Sequence, residues 1–280
     1  MTGSEFAPIA LGLASAALWG AGDFCGGYTS KRTHVYSVVI SSQIVGWLIF
    51  LVIALLSGEV PPPADQLAYS AVAGLAGAIG CIALYRGLAE GRMGVTAPVS
   101  AVVGSALPVV AGFFLEGAPE TWQLIGFGLA AVAVWFISRT DGARLHWREL
   151  SLPLVAGAGF GVFFILIGHV SDTAVWWPLV MVRTVSLSTL FIVATAQRQP
   201  RLVPRRYGWL AALVGVFEVG GNAFFALAGQ AGRLDVAAVI SSLYPATTVW
   251  LAWLILKERF SRAQSIGIVT ALAAIILISL

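Results

Sequence analysis

The chain has 280 residues, 59% hydrophobic and only 10% charged, with a formal net charge of +3 and a mean hydropathy of +0.90. A soluble domain carries roughly 25% charged residues, so the composition excludes a water-covered globular fold. Two cysteines, Cys25 and Cys81, both lie in apolar runs and offer neither a disulfide framework nor a CxxC metal site.

About 20 mostly apolar residues are needed to cross a hydrocarbon core of roughly 30 Å. The first such run, 7–27, holds Trp19-Gly20 and Asp23. Ala14-Ser15-Ala16 imitates a cleavage site, but Glu5 precedes it with no Lys or Arg, where a signal peptide needs a positive region. The run is expected to stay as a helix. Runs follow over 35–57, with Tyr36 and Gln43 two turns apart, 67–89, with Gly74, Gly77 and Gly80, 94–115 and 122–138. The second half offers 150–171, 175–196 with Arg183, and 208–230 with Glu218 and Asn222. The last two are 235–256, with Ser241, Tyr244 and Thr248, and 262–280. Short polar or Pro-rich pieces such as Pro61-Pro62-Pro63 and Arg198-Gln199-Pro200 separate them, and no loop could hold a soluble domain.

Sliding the chain so that Gly91 falls on Gly232 aligns 91–138 with 232–279 without a gap. Arg92/Arg233, Val95/Val236, Ala97/Ala238, Ser100/Ser241 and Gln123/Gln264 then coincide, and Trp19-Gly20 falls on Phe160-Gly161. Such internal repetition is the signature of a duplicated architecture. Five helices per half is an odd number, so the halves must cross in opposite senses. The expected fold is therefore an all-α integral membrane protein of ten transmembrane helices. It forms two five-helix inverted-topology repeats, 1–138 and 150–280, joined by a cytoplasmic linker, 139–149. If both termini face outward, every loop Lys and Arg except Arg233 falls on the cytoplasmic side, as the positive-inside rule asks. A multi-pass plasma-membrane protein with non-cytoplasmic termini is the corresponding expectation.

Arg233-Leu-Asp-Val-Ala-Ala-Val-Ile-Ser-Ser-Leu-Tyr-Pro245, Leu256-Lys-Glu258-Arg259 and Gln264-Ser-Ile-Gly267 resemble the EamA-type transporters of the drug/metabolite transporter superfamily. Trp19-Gly20 and Arg183 also match positions where that family tends to carry Trp-Gly and Arg. The resemblance spans nearly the whole chain and implies a carrier, usually an exporter, with a central cavity between the halves. The first half departs from it, with Glu116-Gly117 in place of Gly-Glu-Arg and Ser42 at the position paired with Arg183.

A charge at the bilayer centre costs about 2.5–3.5 kcal/mol on insertion scales, and Glu218 and Arg183 lie near the midpoints of their runs. An Arg–carboxylate pair there would satisfy both charges through bidentate hydrogen bonds. Two readings stay open: contact with substrate or a proton, or a pair that only locks two helices together. Glu218, held in low dielectric, could load and unload a proton near neutrality, which makes protons a candidate coupling ion. On the eighth run Gly215, Glu218, Asn222, Phe225 and Gly229 share a face. Trp19, Asp23, Tyr36, Gln43, Ser241, Tyr244 and Thr248 complete the candidate lining, and Pro245 is a candidate kink. Asp23, toward the cytoplasmic end of its run near Lys31 and Arg32, reads either as a cavity acid or as an interfacial anchor. Aromatic lining favours amphipathic or cationic organic substrates. Arg86 and Glu90 read as an interfacial i,i+4 pair, Asp172 and Asp235 as solvated helix ends, and His169 as a structural hydrogen-bond donor.

The string LWGAGDFCGG at 18–27 begins like a dinucleotide-binding turn, but Cys25 stands where the third glycine belongs and the run lies inside a span. No G-x-x-x-x-G-K-[ST], H-E-x-x-H or G-x-S-x-G occurs. The expected function is secondary transport of small organic molecules by alternating access. A passive channel is the alternative, and a membrane-embedded enzyme is the least favoured reading. No cofactor, metal or nucleic-acid partner is expected; lipid and a small-molecule substrate are. Monomer and homodimer both remain open.

Overall fold

The computed structural model describes residues 3–115, 121–137, 139–140, 143–144, 147–168, 170, 174–231 and 240–279. Apart from a two-residue antiparallel pair, Arg139–Thr140 with Ala143–Arg144, every extended element among them is helical. The helices are α1 (Gly3–Ser30), α2 (Val35–Ser57), α3 (Ala64–Glu90), α4 (Met93–Leu115) and α5 (Thr121–Ile137). After the pair come α6 (Trp147–Gly168), α7 (Trp176–Ala196), α8 (Gly208–Ala231), α9 (Tyr244–Ile255) and α10 (Arg262–Ser279). In lipid each backbone N–H and C=O must be satisfied within the chain, which leaves helices as the solution for apolar runs of this length. Six helices (α1, α2, α3, α6, α7 and α8) are long and apolar enough to cross a membrane. Three shorter apolar helices lie within α4, α5 and α10. The chain is thus a multi-pass integral membrane protein, in which the described residues supply six full-length spans where ten are expected.

The helix ends have local causes. Gly58 adopts φ +70 as the left-handed cap of α2, a conformation that costs glycine nothing. The expected kink at Pro245 is a full interruption: the helix reaching Ser241 breaks at Ser242-Leu243, and α9 starts afresh with Pro245 in its first turn. Proline is favoured there because a first-turn N–H has no intrahelical acceptor to lose. Asp172, Asp235, His169, Glu116, Gly117 and the stretch from Gly232 to Val239 lie outside the described residues.

The exterior is apolar. Leu56 is 81% exposed, and Ile192, Val269 and Leu55 are similarly bare, an arrangement suited to lipid rather than water. The interior combines an apolar core, with Phe50, Ile40, Leu84 and Ile275 fully buried, and small polar residues such as Ser15, Ser42, Gln43, Ser241 and Thr248. Glycines let the helices approach closely around it. A Cβ on Gly74 would meet the Val182 carbonyl of α7, and one on Gly159 would meet Ala76 and Gly80 of α3. A Cβ on Gly215 would meet the Ser42 carbonyl and Val45 of α2.

Packing follows the repeat. Exchanging each helix for its counterpart five places along maps α1 on α8 to α6 on α3, α2 on α8 to α7 on α3, and α1 on α9 to α6 on α4. The shift that aligns Gly91 with Gly232 relates Gly74 to Gly215 and Gly20 to Gly161. These pairs mediate counterpart contacts: Gly20 faces Tyr244 and Thr247 of α9, and Gly161 faces Gly104 and Leu107 of α4.

Candidate functional site

Glu218, midway along α8, is the hub of the polar interior. Its Oε2 accepts from Arg183 Nη2 of α7 at 2.5 Å, and its Oε1 accepts from the Tyr85 hydroxyl of α3 at 3.0 Å. The contact is not the bidentate fork expected from sequence, because Tyr85 occupies the second oxygen. Only 13% of the Arg183 side chain and 17% of the Glu218 side chain are accessible. A pair so withdrawn from water holds together through charge-assisted bonding. The Arg183 guanidinium also lies 6.0 Å from the centroid of buried Phe50, at the outer range of a cation–π contact.

Tyr85 is the residue that the sequence reading missed. It is 1% exposed, and its ring fills the space opposite Gly26 of α1, where a Cβ would collide with it. A tyrosine near the end of an apolar span reads as an interfacial anchor, so no local signal marks it.

The remaining candidates divide into three groups. The first group meets at the junction of α1, α8 and α9. The Trp19 ring lies 5.8 Å from Phe225, tilted, and 6.4 Å from Tyr244, edge on. Asp23, one turn after Trp19, lies within Coulombic range of Glu218 and Tyr244. The neighbouring Gly22 sets its level, since a Cβ there would touch Glu218 Cγ at 3.8 Å.

The second group is used in packing. Thr248 Oγ1 donates to the Gly20 carbonyl at 3.0 Å, Ser241 Oγ to Gly12 at 3.4 Å, and Ser15 Oγ to Gly221 at 2.9 Å. Asn222 Nδ2 donates back one turn to the Glu218 carbonyl at 2.8 Å. Gln43 is buried at 2% exposure, its amide reaches Cys81, and its Oε1 has no partner.

The third group is Tyr36 alone. It stacks on His34 at the start of α2, with ring centroids 5.6 Å apart, and stands apart from the hub. Arg86 and Glu90 pair at 2.7 Å on the exposed last turn of α3. Among the described residues no three His, Cys, Asp or Glu side chains group to hold a metal ion.

The cluster therefore combines one compensated ion pair, an additional acid and four aromatic rings, drawn from α1, α3, α7, α8 and α9. Both halves of the chain contribute. The model of the EamA-like transporter family matches residues 7–139 and again 147–280. The chain belongs to the EamA-like transporter family. Two matches in tandem make it a two-repeat member of a family of transporters, and the small-molecule substrate and lipid environment follow from that membership. The uncharacterized protein MJ1333.1 of Methanocaldococcus jannaschii is 28% identical over 131 residues, covering 47% of this chain and 94% of that protein. A crystal structure of another protein superposes with a TM-score of 0.65 over 96% of this chain and 95% of that chain, at 16% identity. That likeness is one of fold.

Proposed function

We propose that this EamA-like chain is a secondary transporter of small organic molecules, working by alternating access between two inverted five-helix repeats. The observation that carries the reading is the hub itself. Arg183 and Glu218 come from the second half, Tyr85 and Asp23 from the first, and they meet inside apolar helices where charge is costly. Intramembrane ionisable groups at a repeat interface are where transporters bind substrate and coupling ion. The exchange symmetry of the helix packing supports an inverted arrangement, and the loop charges support termini on the outer side of the plasma membrane. Efflux is the direction favoured by family membership.

Protons are the proposed coupling ion, and Asp23 is the better carrier of the two acids. Glu218 is held by a guanidinium and a phenol, whereas among the described residues Asp23 has neither. Purified protein reconstituted into liposomes tests the reading. Saturable flux of organic solutes driven by an imposed pH gradient is expected, abolished by Asp23→Asn. Non-saturable flux indifferent to gradient identifies a channel instead.

A further inference from the structure

Polar groups at the hub are unbalanced in favour of acceptors. Asp23 and Glu218 bring two carboxyl groups, and Arg183 brings one positive charge, already bound to Glu218. Among the described residues, Glu218, Tyr85, Tyr244 and Cys81 interact with Asp23 electrostatically, and no Lys, Arg or His does. Among the described residues Asp23 has neither hydrogen bond nor ion pair. Nearby, Cys81 interacts with both Asp23 and Gln43. The Gln43 carbonyl oxygen, fully buried, is a second acceptor without a donor. A buried acceptor of this kind is normally satisfied, so the orphaned Gln43 oxygen leaves room for an external donor.

An aromatic cluster begins in the turn before Asp23. Trp19 precedes it by one turn on α1, and Phe225 and Tyr244 close on Trp19 from α8 and α9. All three rings, and Asp23 itself, are partly accessible rather than sealed. Ring faces attract cations. They supply no oxygen ligands, which a hard inorganic cation would require in number. An anion would have to share the Arg183 guanidinium with the Glu218 carboxylate already bound to it, whose charge repels it.

We propose that the substrate is an organic monocation, an amine or quaternary ammonium on an apolar body. Asp23 holds its charge, and Trp19, Phe225 and Tyr244 hold its hydrocarbon part. Asp23 and the ring cluster are then the specificity determinants, while Arg183, Glu218 and Tyr85 fix α7, α8 and α3 around them. The assignment rests on reading the hub as the substrate site.

Detergent-purified full-length protein is titrated calorimetrically with tetramethylammonium, phenyltrimethylammonium and tetraphenylphosphonium, and with benzoate and benzyl alcohol as anionic and neutral counterparts. Binding of the aromatic cations but not of benzoate is expected. Asp23→Asn should weaken that binding by about tenfold or more, Asp23→Glu should retain most of it, and Trp19→Ala should weaken aromatic cations more than tetramethylammonium. Arg86→Gln, on the exposed end of α3, should bind as the unaltered chain does. Asp23→Glu keeps the test decisive if Asp23→Asn fails to fold. Preference for benzoate or benzyl alcohol, absence of any cation binding, or cation binding undiminished in Asp23→Asn overturns the proposal. Flux measurements on the same preparation separate the two readings. Cation binding at Asp23 without flux refutes transport and leaves this assignment standing. Saturable flux of other solutes without cation binding does the reverse.

Discussion

Arg183 on α7 and Glu218 on α8 meet at 2.5 Å inside the helix bundle. Removing one partner leaves the other charge buried and uncompensated, which costs 3–5 kcal/mol in buried pairs. Residual accessibility places this pair at the lower end, about 3 kcal/mol. Arg183→Gln and Glu218→Gln should each lower thermal stability in detergent by that order. The double substitution should recover part of the loss, so a double-mutant cycle gives a positive coupling energy. Simple additivity would show that the pair contributes nothing as a pair.

Tyr85 donates to the same carboxylate from α3 at 3.0 Å. A hydrogen bond to a charged group contributes about 1.5–3 kcal/mol, so Tyr85→Phe should destabilise by that order while preserving the ring packing. Gly26→Ala acts on the same contact from the opposite side, because its Cβ would collide with the Tyr85 ring. Overpacking costs typically 1–3 kcal/mol. Thermal unfolding checks both, and the combined variant should fall short of the sum, since the contact can be lost only once.

Glu59, in the loop between α2 and α3, accepts from the backbone N–H groups of Val175, Trp176 and Trp177 at 2.9 Å. The Trp177 indole donates to its carbonyl at 2.8 Å. The first half thereby caps α7 of the second. Glu59→Ala should cost about 1–2 kcal/mol, the range for a lost helix cap. It should also speed labelling of a cysteine introduced at Val60; unchanged stability and labelling would refute the cap.

Glu258 makes the counterpart link at the opposite end of α3. Its carboxylate accepts from Met93 and Gly94, the first residues of α4, at 3.3 and 3.4 Å. Longer bonds are weaker, so Glu258→Ala should destabilise less than Glu59→Ala. If the halves rock, the two substitutions should bias access toward opposite sides. Cysteine labelling from inside and outside sealed liposomes reads that bias, and equal shifts in the same direction would refute it.

Span positions were legible in the chain because they are local: an apolar run of about 20 residues has to close its own backbone hydrogen bonds in lipid. The boundaries of α2 at 35–57 and α7 at 176–196 follow the hydropathy within a residue. The duplication was legible too, since a gapless shift is a property of sequence, and the family match over both halves agrees with it. Glu218, Arg183 and Asp23 stood out because charge in a span is rare. Partnership was another matter. Tyr85 and Glu218 are far apart in sequence, and Tyr85 carries no mark distinguishing it from an interfacial aromatic. Ser241 and Thr248 looked like cavity lining on their helix face, yet their hydroxyls reach α1 carbonyls through the gaps that glycine opens. Tyr36 shared a face with Gln43, but the helix end carries it to His34. Hydropathy and periodicity alone therefore marked the apolar runs, six of them full-length spans among the described residues, and the charges that are costly there. Only helix packing, a sum of long-range contacts between small residues, decided that Glu218 is paired while Asp23 makes no hydrogen bond or ion pair among the described residues.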